Sequence, residues 1–509
     1  LAAARGEASI AAILVRAGAD VHAENSDGLD AAALAVKHGY TSVAEVIQAD
    51  FPLVIVAQRP TNEKRKRPPI IRCGIYPEDG RCVDNWWHLY DDATFKNLWI
   101  SGVNLDGTGT ISWIMQSVYA SHKTITFDNC IIEAPYTWWA VFMDYGGQND
   151  YNISRCIFKN IGSPTGTTWN GVVFYGSNLD SVIIQNSTFF NFGAWATRSA
   201  FYKEINHCTF INCMMPPHDN HNVIINILKN SLFVNCHAFS DDYVEISKNH
   251  GDQEVKGLMN YADIQWDPQI LDSLYGPSGV LGYDYDPNGD GTLTDNELFW
   301  ILKNNNWYYT QPVREYFDKW ADAEPAVVPN CWMNDYNAAM FEHASDAGVW
   351  SWTVQRIDTL GNRTDEDTTF FHKPFEFFVE ENTWNLDPGI VDMNNTDVLL
   401  AQNCDEIRRR WAGEEIDHPV KWHNVDNYLD FTWPLDFDLS YTNKTLFHGG
   451  IYGWPIGDCW HWNILHHPSD PPPDSSQRVE CPFKSVANTG KTMSVVIEIA
   501  DVNGLLILP

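Results

Sequence analysis

From about residue 95 the chain alternates apolar and polar positions in short bursts, and the bursts recur. Five segments align: ITFDNCIIEA from Ile125, ISRCIFKNIG from Ile153, VIIQNSTFFNFG from Val182, INHCTFINC from Ile205 and ILKNSLFVNC from Ile227. A small residue marks the register of each: Cys130, Cys156, Ser187, Cys208 and Ser231, at intervals of 21 to 31 residues. A weaker copy, LWISGVNL, puts Gly102 in the same slot. Two places after each mark come Ile132, Phe158, Phe189, Phe210 and Phe233; four places after it come Asn160, Asn191, Asn212 and Asn235, with Ala134 the exception. A period of two is that of a strand with one buried face.

A repeat of this length, with one or two short strands and no helical period, predicts a parallel β-solenoid. Its coils stack about 4.8 Å apart. A Phe in every coil then forms a continuous interior pile, the small residue leaves room for it, and the Asn amides bond from coil to coil. A β-sandwich has no need of such columns. Leu is not the recurring residue, which excludes a leucine-rich repeat.

The region from 90 to 270 resembles the pectin-lyase-like family of right-handed parallel β-helices, of the NosD or polysaccharide-lyase kind, on its alternating apolar residues followed by Asn-Cys-x-Phe-x-Asn. The resemblance implies the fold and says little about chemistry, because one fold serves enzymes, adhesins and surface-layer proteins. Family lyases abstract a proton beside a uronate carboxylate and need a base and a cation. The resemblance points to Arg198, Lys203, His218, Asp219 and His221 as candidate catalytic groups, with PPHDNH at 216–221 the most site-like stretch and an exposed polar loop the competing explanation. No Asp cluster on neighbouring coils matches a family calcium site, and no paired carboxylates suggest a hydrolase.

Residues 286–297, DPNGDGTLTDNE, fit an EF-type or dockerin-like calcium loop. Asp286, Asn288 and Asp290 supply alternating oxygens, and Gly291 makes the turn. Thr292 offers its carbonyl, Thr294 sits at the ninth position and Glu297 closes the ring with two oxygens. A helix is expected to leave the loop over 296–304; no entering helix is visible in 276–285.

Near the start, Gly18-Ala19-Asp20-Val21, Asn25, Asp27-Gly28, Ala32 to Ala35 and His38-Gly39-Tyr40 resemble an ankyrin repeat. The match covers about one and a half repeats, and a lone repeat cannot bury its own faces, so the segment belongs to a longer array or docks on protein. The basic run Lys64 to Arg67 and the two prolines after it read as a connector. The sequence opens at Leu1 without a charged segment leading into an apolar one, which predicts a processed or truncated start.

The expected organisation is mainly β: an ankyrin-like helical segment at 1–50, linker and cap at 51–90, the β-helix at 91–275, calcium loop and helix at 276–320, an irregular aromatic-rich region at 321–460, and a Pro-rich linker with terminal strands at 461–509. Within 321–460 the repeat is not expected to continue, although NCDEIRRRWAG at 403–413 has a helical pattern. A segment at 436–458 weakly resembles the closing stretch of exported bacterial β-helix proteins and implies extracellular export.

Charge narrows the partners. Sixty-six acidic against thirty-three basic residues give −33, which disfavours nucleic acid. No apolar run is long enough to span a membrane. The acidity fits calcium and an extracellular setting, or plain solvation. Eleven cysteines show no zinc or haem spacing and read as buried thiols with at most a few disulfides, Cys73–Cys82 among the possible pairs. Twenty-two tryptophans suit sugar stacking or the packing of loops. The leading functional expectation is a secreted or cell-surface structural or adhesive rod, stabilised by Ca2+, contacting polysaccharide or sister subunits, with no catalytic activity established. The alternative is a calcium-dependent lyase or hydrolase acting on acidic polysaccharide.

Overall fold

The computed structural model describes residues 29, 31–38, 53–56, 68–72, 87–89, 91–102, 114–117, 122–134, 140–144, 149–162, 172–176, 179–193, 196–197, 200–215, 217–218, 223, 225–242, 299–323, 327–328, 332–333, 348–357, 363–372, 377–416, 431–462 and 505–507. The calcium loop at 286–297, most of the ankyrin-like segment, the connector at 58–67 and Arg198, Asp219 and His221 lie outside these residues. Of the ankyrin-like segment, one short helix, Ala31–Lys37, is described.

The chain is mainly β, and its largest sheet is entirely parallel. Three ladders of strands recur in the same order along the sequence. The first stacks Leu53–Val56, Ala93–Lys96, Thr124–Asp128, Asp150–Ser154, Leu179–Gln185, Ala200–Asn206, Ile225–Lys229, the first half of Phe299–Tyr308, and Phe377–Trp384. The second stacks Leu505–Ile507, Ile70–Arg72, Trp99–Ser101, Ile131–Ala134, Ile157–Ile161, Thr188–Phe192, Thr209–Cys213, Leu232–Cys236 and the second half of Phe299–Tyr308. The third stacks Trp87–Leu89, Met115–Ser117, Ala140–Asp144 and Val172–Gly176, and single bridges carry it on through Thr197 and His218.

The predicted columns are present. Phe158, Phe189, Phe210 and Phe233 lie face to face, with centroids 4.6, 4.8 and 5.0 Å apart and planes within 12°. All four are fully buried. Phe142 and Phe174 form a second pile at 4.7 Å in the third ladder. The Asn amides hand bonds along the axis: Asn235 donates to Asn212 at 2.9 Å, Asn212 to Asn191 at 3.0 Å and Asn191 to Asn160 at 3.2 Å.

Backbone geometry explains why the residue is Asn. Asn160, Asn191, Asn212 and Asn235 all have φ between 52° and 58°. Asn tolerates this left-handed region better than other residues with a side chain. A second left-handed column, at the corner between first and second ladders, holds Asn97, Asn129, Arg155, Asn186, His207, Asn230, Asn304 and Asn382. Within it, Asn129 bonds to Asn97 at 2.6 Å, Asn304 to Asn230 at 3.0 Å and Asn382 to Asn304 at 2.9 Å.

Three expectations change. Leu98, not Gly102, stands level with Cys130, because Trp99 pairs with Ile131; Gly102 instead packs on Ala134, 3.3 Å from where its Cβ would be. Ala134 breaks the Asn column because its coil lacks the extra left-handed residue: the register slips at Asn160 so that Ile161 pairs with Ala134. The helix expected over 296–304 is the strand Phe299–Tyr308, whose Trp300 and Leu302 turn inward onto Asn226 and Leu228. The stack therefore runs two strands further than 275, through Phe299–Tyr308 and Phe377–Trp384.

Two helices, Gln311–Trp320 and Thr396–Trp411, pack beside the upper coils around Tyr316, Phe317, Cys404 and Ile407. The second covers residues 403–411 of the helical stretch expected at 403–413. Its Arg408 is buried and donates to Tyr316 Oη at 2.7 Å and to the carbonyls of Phe239 and Ser240 at 3.0 and 2.9 Å. Residues 431–462 lie over the outer face of the second ladder, where Phe437, Leu439, Leu446 and Ile456 meet Phe190, Ile211, Leu232 and Val234.

Removing one ring from the pile should be costly. Phe189→Ala is expected to lower unfolding stability by about 3–5 kcal/mol, and Asn212→Ala by about 1–3 kcal/mol through its orphaned partners, both read by urea denaturation. Losses below about 0.5 kcal/mol for both, the range of ordinary surface changes, would contradict the stacked arrangement.

Candidate functional site

Of the five candidate catalytic residues, Lys203 and His218 are described, and both belong to the core. Lys203 lies in the first ladder between Val182 and Asn226 and is 1% exposed. His218 is 2% exposed and sits in the third ladder, edge-on to Phe210 and Phe233. Its Nδ1 is 3.2 Å from Thr197 Oγ1, and its Nε2 has no partner. Burial, helped by the charge of nearby Lys203, holds the imidazole well below its usual pKa, so it is neutral. The expected exposed loop therefore starts as an interior position: Pro217 and His218 continue a ladder instead of leaving it.

A different cluster meets the surface, at the corner between the first and second ladders. Gly457 has φ 89°, and a Cβ there would fall 2.6 Å from Thr209 Oγ1, so only glycine lets the covering segment approach the ladder this closely. The next residue, Asp458, is buried and crowded with donors. Its Oδ2 accepts from Thr188 Oγ1 at 2.7 Å and from His461 Nδ1 at 2.6 Å; its Oδ1 accepts from the backbone N–H of Trp460 at 2.9 Å and of His461 at 3.1 Å. Trp462 Nε1 donates to Thr188 Oγ1 at 2.8 Å. A carboxylate on Nδ1 fixes the tautomer and aim of His461, leaving Nε2 as the functional edge.

Trp460, 48% exposed, is held by its own bond to Asp458 and by the Arg155 guanidinium, 4.9 Å from its ring centroid. Arg155 also grips Asp128 through Nε at 2.8 Å, and Lys96 stands 3.7 Å from the same carboxylate. The result is a rigid, exposed indole with two cations and an oriented imidazole on one corner of the stack.

Cys459 and His207 lie beside it, 3.4 Å apart, but they are not a nucleophile and its base. His207 Nδ1 donates to the Pro455 carbonyl at 3.1 Å, so it carries a proton and cannot take the thiol's. Burial pushes His207 down to about 4, against opposing contributions from the Pro455 and Gly457 carbonyls and Asp458.

At the opposite corner, Asp144 Oδ2 accepts from Asn149 Nδ2 at 2.8 Å and Tyr151 Oη at 3.0 Å, and Asn149 reaches Ser117 at 3.1 Å. Burial, then the Asp144 charge, holds the Tyr151 hydroxyl well above its usual pKa. These bonds join successive coils and account for their own members.

The sequence signal for the surface cluster was the run Asp458-Cys459-Trp460-His461-Trp462, dense in chemistry-bearing residues; what it lacked was its partner set, Arg155, Thr188 and Thr209, more than two hundred residues earlier. Among the described residues no group of three or more His, Cys, Asp or Glu is placed to hold a metal, and no helix is long and apolar enough to cross a membrane. No family model, curated protein or solved structure matches the chain.

The buried histidines set an acid limit. An unfolded His titrates near about 6.5, whereas folded His207 does so at about 4. Between these values the unfolded chain binds the extra proton, so stability is full above the upper value and falls as pH drops toward the lower. His207→Asn, the residue other coils use at this left-handed position, is expected to flatten that fall in thermal melts; an unchanged pH profile would remove His207 from the cause.

Proposed function

We propose that this chain is a right-handed parallel β-helix acting as an extracellular or cell-surface structural and adhesive protein, with polysaccharide contacted at the Trp460 corner and calcium bound at 286–297. The observation that carries this reading is the unbroken pile of Phe158, Phe189, Phe210 and Phe233, flanked by the Asn column. Strands that recur in order in parallel ladders need crossover connections, and such crossovers are right-handed almost without exception. A stack of this kind is stiff along its axis because each coil is bonded to the next through both backbone and amide.

The interior favours a mechanical role over a catalytic one. Lys203 and His218, the described members of the lyase candidate set, are inside the pile. The thiols of Cys156, Cys208, Cys213, Cys236 and Cys404 are fully buried and have their pKa values raised by burial, so they stay protonated and inert to an oxidising exterior. Trp460 supports adhesion: an indole fixed by Arg155 presents its open face to the C–H groups of a sugar ring at little entropic cost. Loop 286–297 supports calcium through its sequence of oxygen ligands, although the segment that follows it is a strand and not an EF-type helix.

Binding should be read by calorimetry against pectin, alginate and glycosaminoglycans. Trp460→Ala is expected to weaken the best ligand at least tenfold, about 1.4 kcal/mol, with melting unchanged. Release of unsaturated uronate products by the wild type, lost on Lys203→Ala, would replace the structural role with a lyase. Calcium removal by chelator should lower the melting temperature, and Glu297→Gln should reproduce the loss; no shift in either means that the loop holds no stabilising ion.

A further inference from the structure

The cations at the Trp460 corner are already engaged. Arg155 donates from Nε to Asp128 Oδ1 at 2.8 Å, and Ser154 Oγ donates to the same oxygen at 3.1 Å. Lys96 stands 3.7 Å from the other oxygen of that carboxylate. Asp458 holds the Trp460 backbone N–H and the His461 imidazole. Lys96 and Arg155 are thus balanced by Asp128 and Asp458, and the corner carries no net charge with His461 neutral, or a single positive charge with His461 protonated. Nearby on the outer face of the second ladder, Lys159 is paired with Glu133 and lies over the Trp99 ring. The next described lysine on the row of Lys96, Lys229, is three strands above Ser154, about 14 Å at the spacing of a sheet. Exposed charges act over about 8 Å at physiological salt, so Lys229 does not alter the balance at the corner.

We propose that the Trp460 corner takes an uncharged hexose polymer and discriminates against chains that carry carboxylate or sulfate. This rests on the adhesive reading of the corner and names the ligand class that it admits.

An anion gains little there. A carboxylate brought up to Arg155 or Lys96 meets Asp128 as well, and like charges set side by side suppress the wrong partner. Displacing Asp128 instead leaves a largely covered carboxylate, its side chain 15% exposed, without the bonds that satisfy it. The whole chain adds to the effect: at −33 it repels a polyanion on approach. A neutral pyranose incurs no such repulsion. Its C–H face lies on the half-exposed indole. Arg155 gives Asp128 its Nε hydrogen and one from Nη2 and keeps three further N–H groups for hydroxyl oxygens. A hydroxyl both donates and accepts, so it matches His461 Nε2 in either protonation state of the ring.

The test compares polymers that share a backbone and differ in charge: hydroxyethyl against carboxymethyl cellulose, and galacturonan as its methyl ester against its free acid. Calorimetry at low salt with the full chain is expected to show the uncharged member of a pair binding at least about tenfold more tightly, with that binding lost on Trp460→Ala. Asp128→Asn keeps Oδ1 for Arg155 and Ser154 and removes the charge. It is expected to raise affinity for the charged member by about threefold, the scale of one exposed charge pair, and to leave the uncharged member unchanged. A charged member that binds through Trp460 as tightly as its counterpart, or an Asp128→Asn variant with no gain for it, overturns the proposal and leaves the adhesive reading standing. Binding of no member, or binding that ignores Trp460→Ala, overturns both. The comparison within each pair is made on the wild type and needs no variant to fold.

Discussion

From Ala93–Lys96 onward, each described turn from the first ladder to the second passes through one residue in the left-handed region, and at several of them the side chain bonds to the neighbouring level. That constraint organises the rest. At the corner between first and second ladders, eight residues with φ between 46° and 59° lie in line, six of them Asn. An Asn there meets two demands at once: it accepts the backbone conformation, and its amide, with donors on one side and an acceptor on the other, bonds in both directions along the axis. Fixed corners fix the register of the strands on either side, and fixed register places Phe upon Phe. The exceptions mark where other contacts enter. Arg155 holds Asp128 and Trp460, and His207 holds the Pro455 carbonyl. Both positions that depart from Asn in that column face the covering segment.

Polar groups inside the stack are limited by the same geometry. A side chain that points inward meets its neighbours one level up and one level down, so a lone polar residue must find its partner there. His218 does so on one nitrogen with Thr197 and not on the other. Its neutrality follows from that position, as does its distance from any solvent chemistry. Residues 431–462 perform the opposite task. They cover the outer face of the second ladder and bring Asp458 down onto Thr188, whose hydroxyl donates to its carboxylate, and Thr209, whose hydroxyl accepts from its backbone N–H. The exposed corner is thus built by one segment from beneath and another from above, and its rigidity comes from the lower one.

Finishing the ends matters for a stack of parallel strands. An open parallel sheet has two strand edges that a closed barrel lacks, and each invites pairing. Among the described residues, the last strand at one end carries exposed Glu380 and Glu381; at the other, Leu505–Ile507 pairs with Ile70–Arg72 and Leu53–Val56 with Ala93–Lys96. The asymmetry gives the stack a polarity that its internal repeats lack.

Much of the parallel sheet was legible because its ladders pair strands from successive repeats: a repeat only has to meet the next repeat, so periodic residues describe both sequence and structure. Phe158, Phe189, Phe210 and Phe233, and the Asn column beside them, were visible for that reason, as was the helix around Arg408. The later coils were missed because the intervals before Phe299–Tyr308 and Phe377–Trp384 are long, and a short apolar run such as FWILKNN reads equally as helix or strand until a neighbour claims its edge. His218 was misplaced because a polar cluster looks like a loop when its ladder is reduced to single bridges. Of the surface corner only the dense run Asp458 to Trp462 was visible in the sequence, not its arrangement. Asp458, His461 and Trp460 acquire meaning only beside Thr188, Thr209 and Arg155, and no local pattern foretells which face of a stack a distant segment will cover. The sequence alone thus determined what repeats, since each coil carries its own instructions; the tertiary structure decided what happens once, because a single long-range contact leaves no period to read.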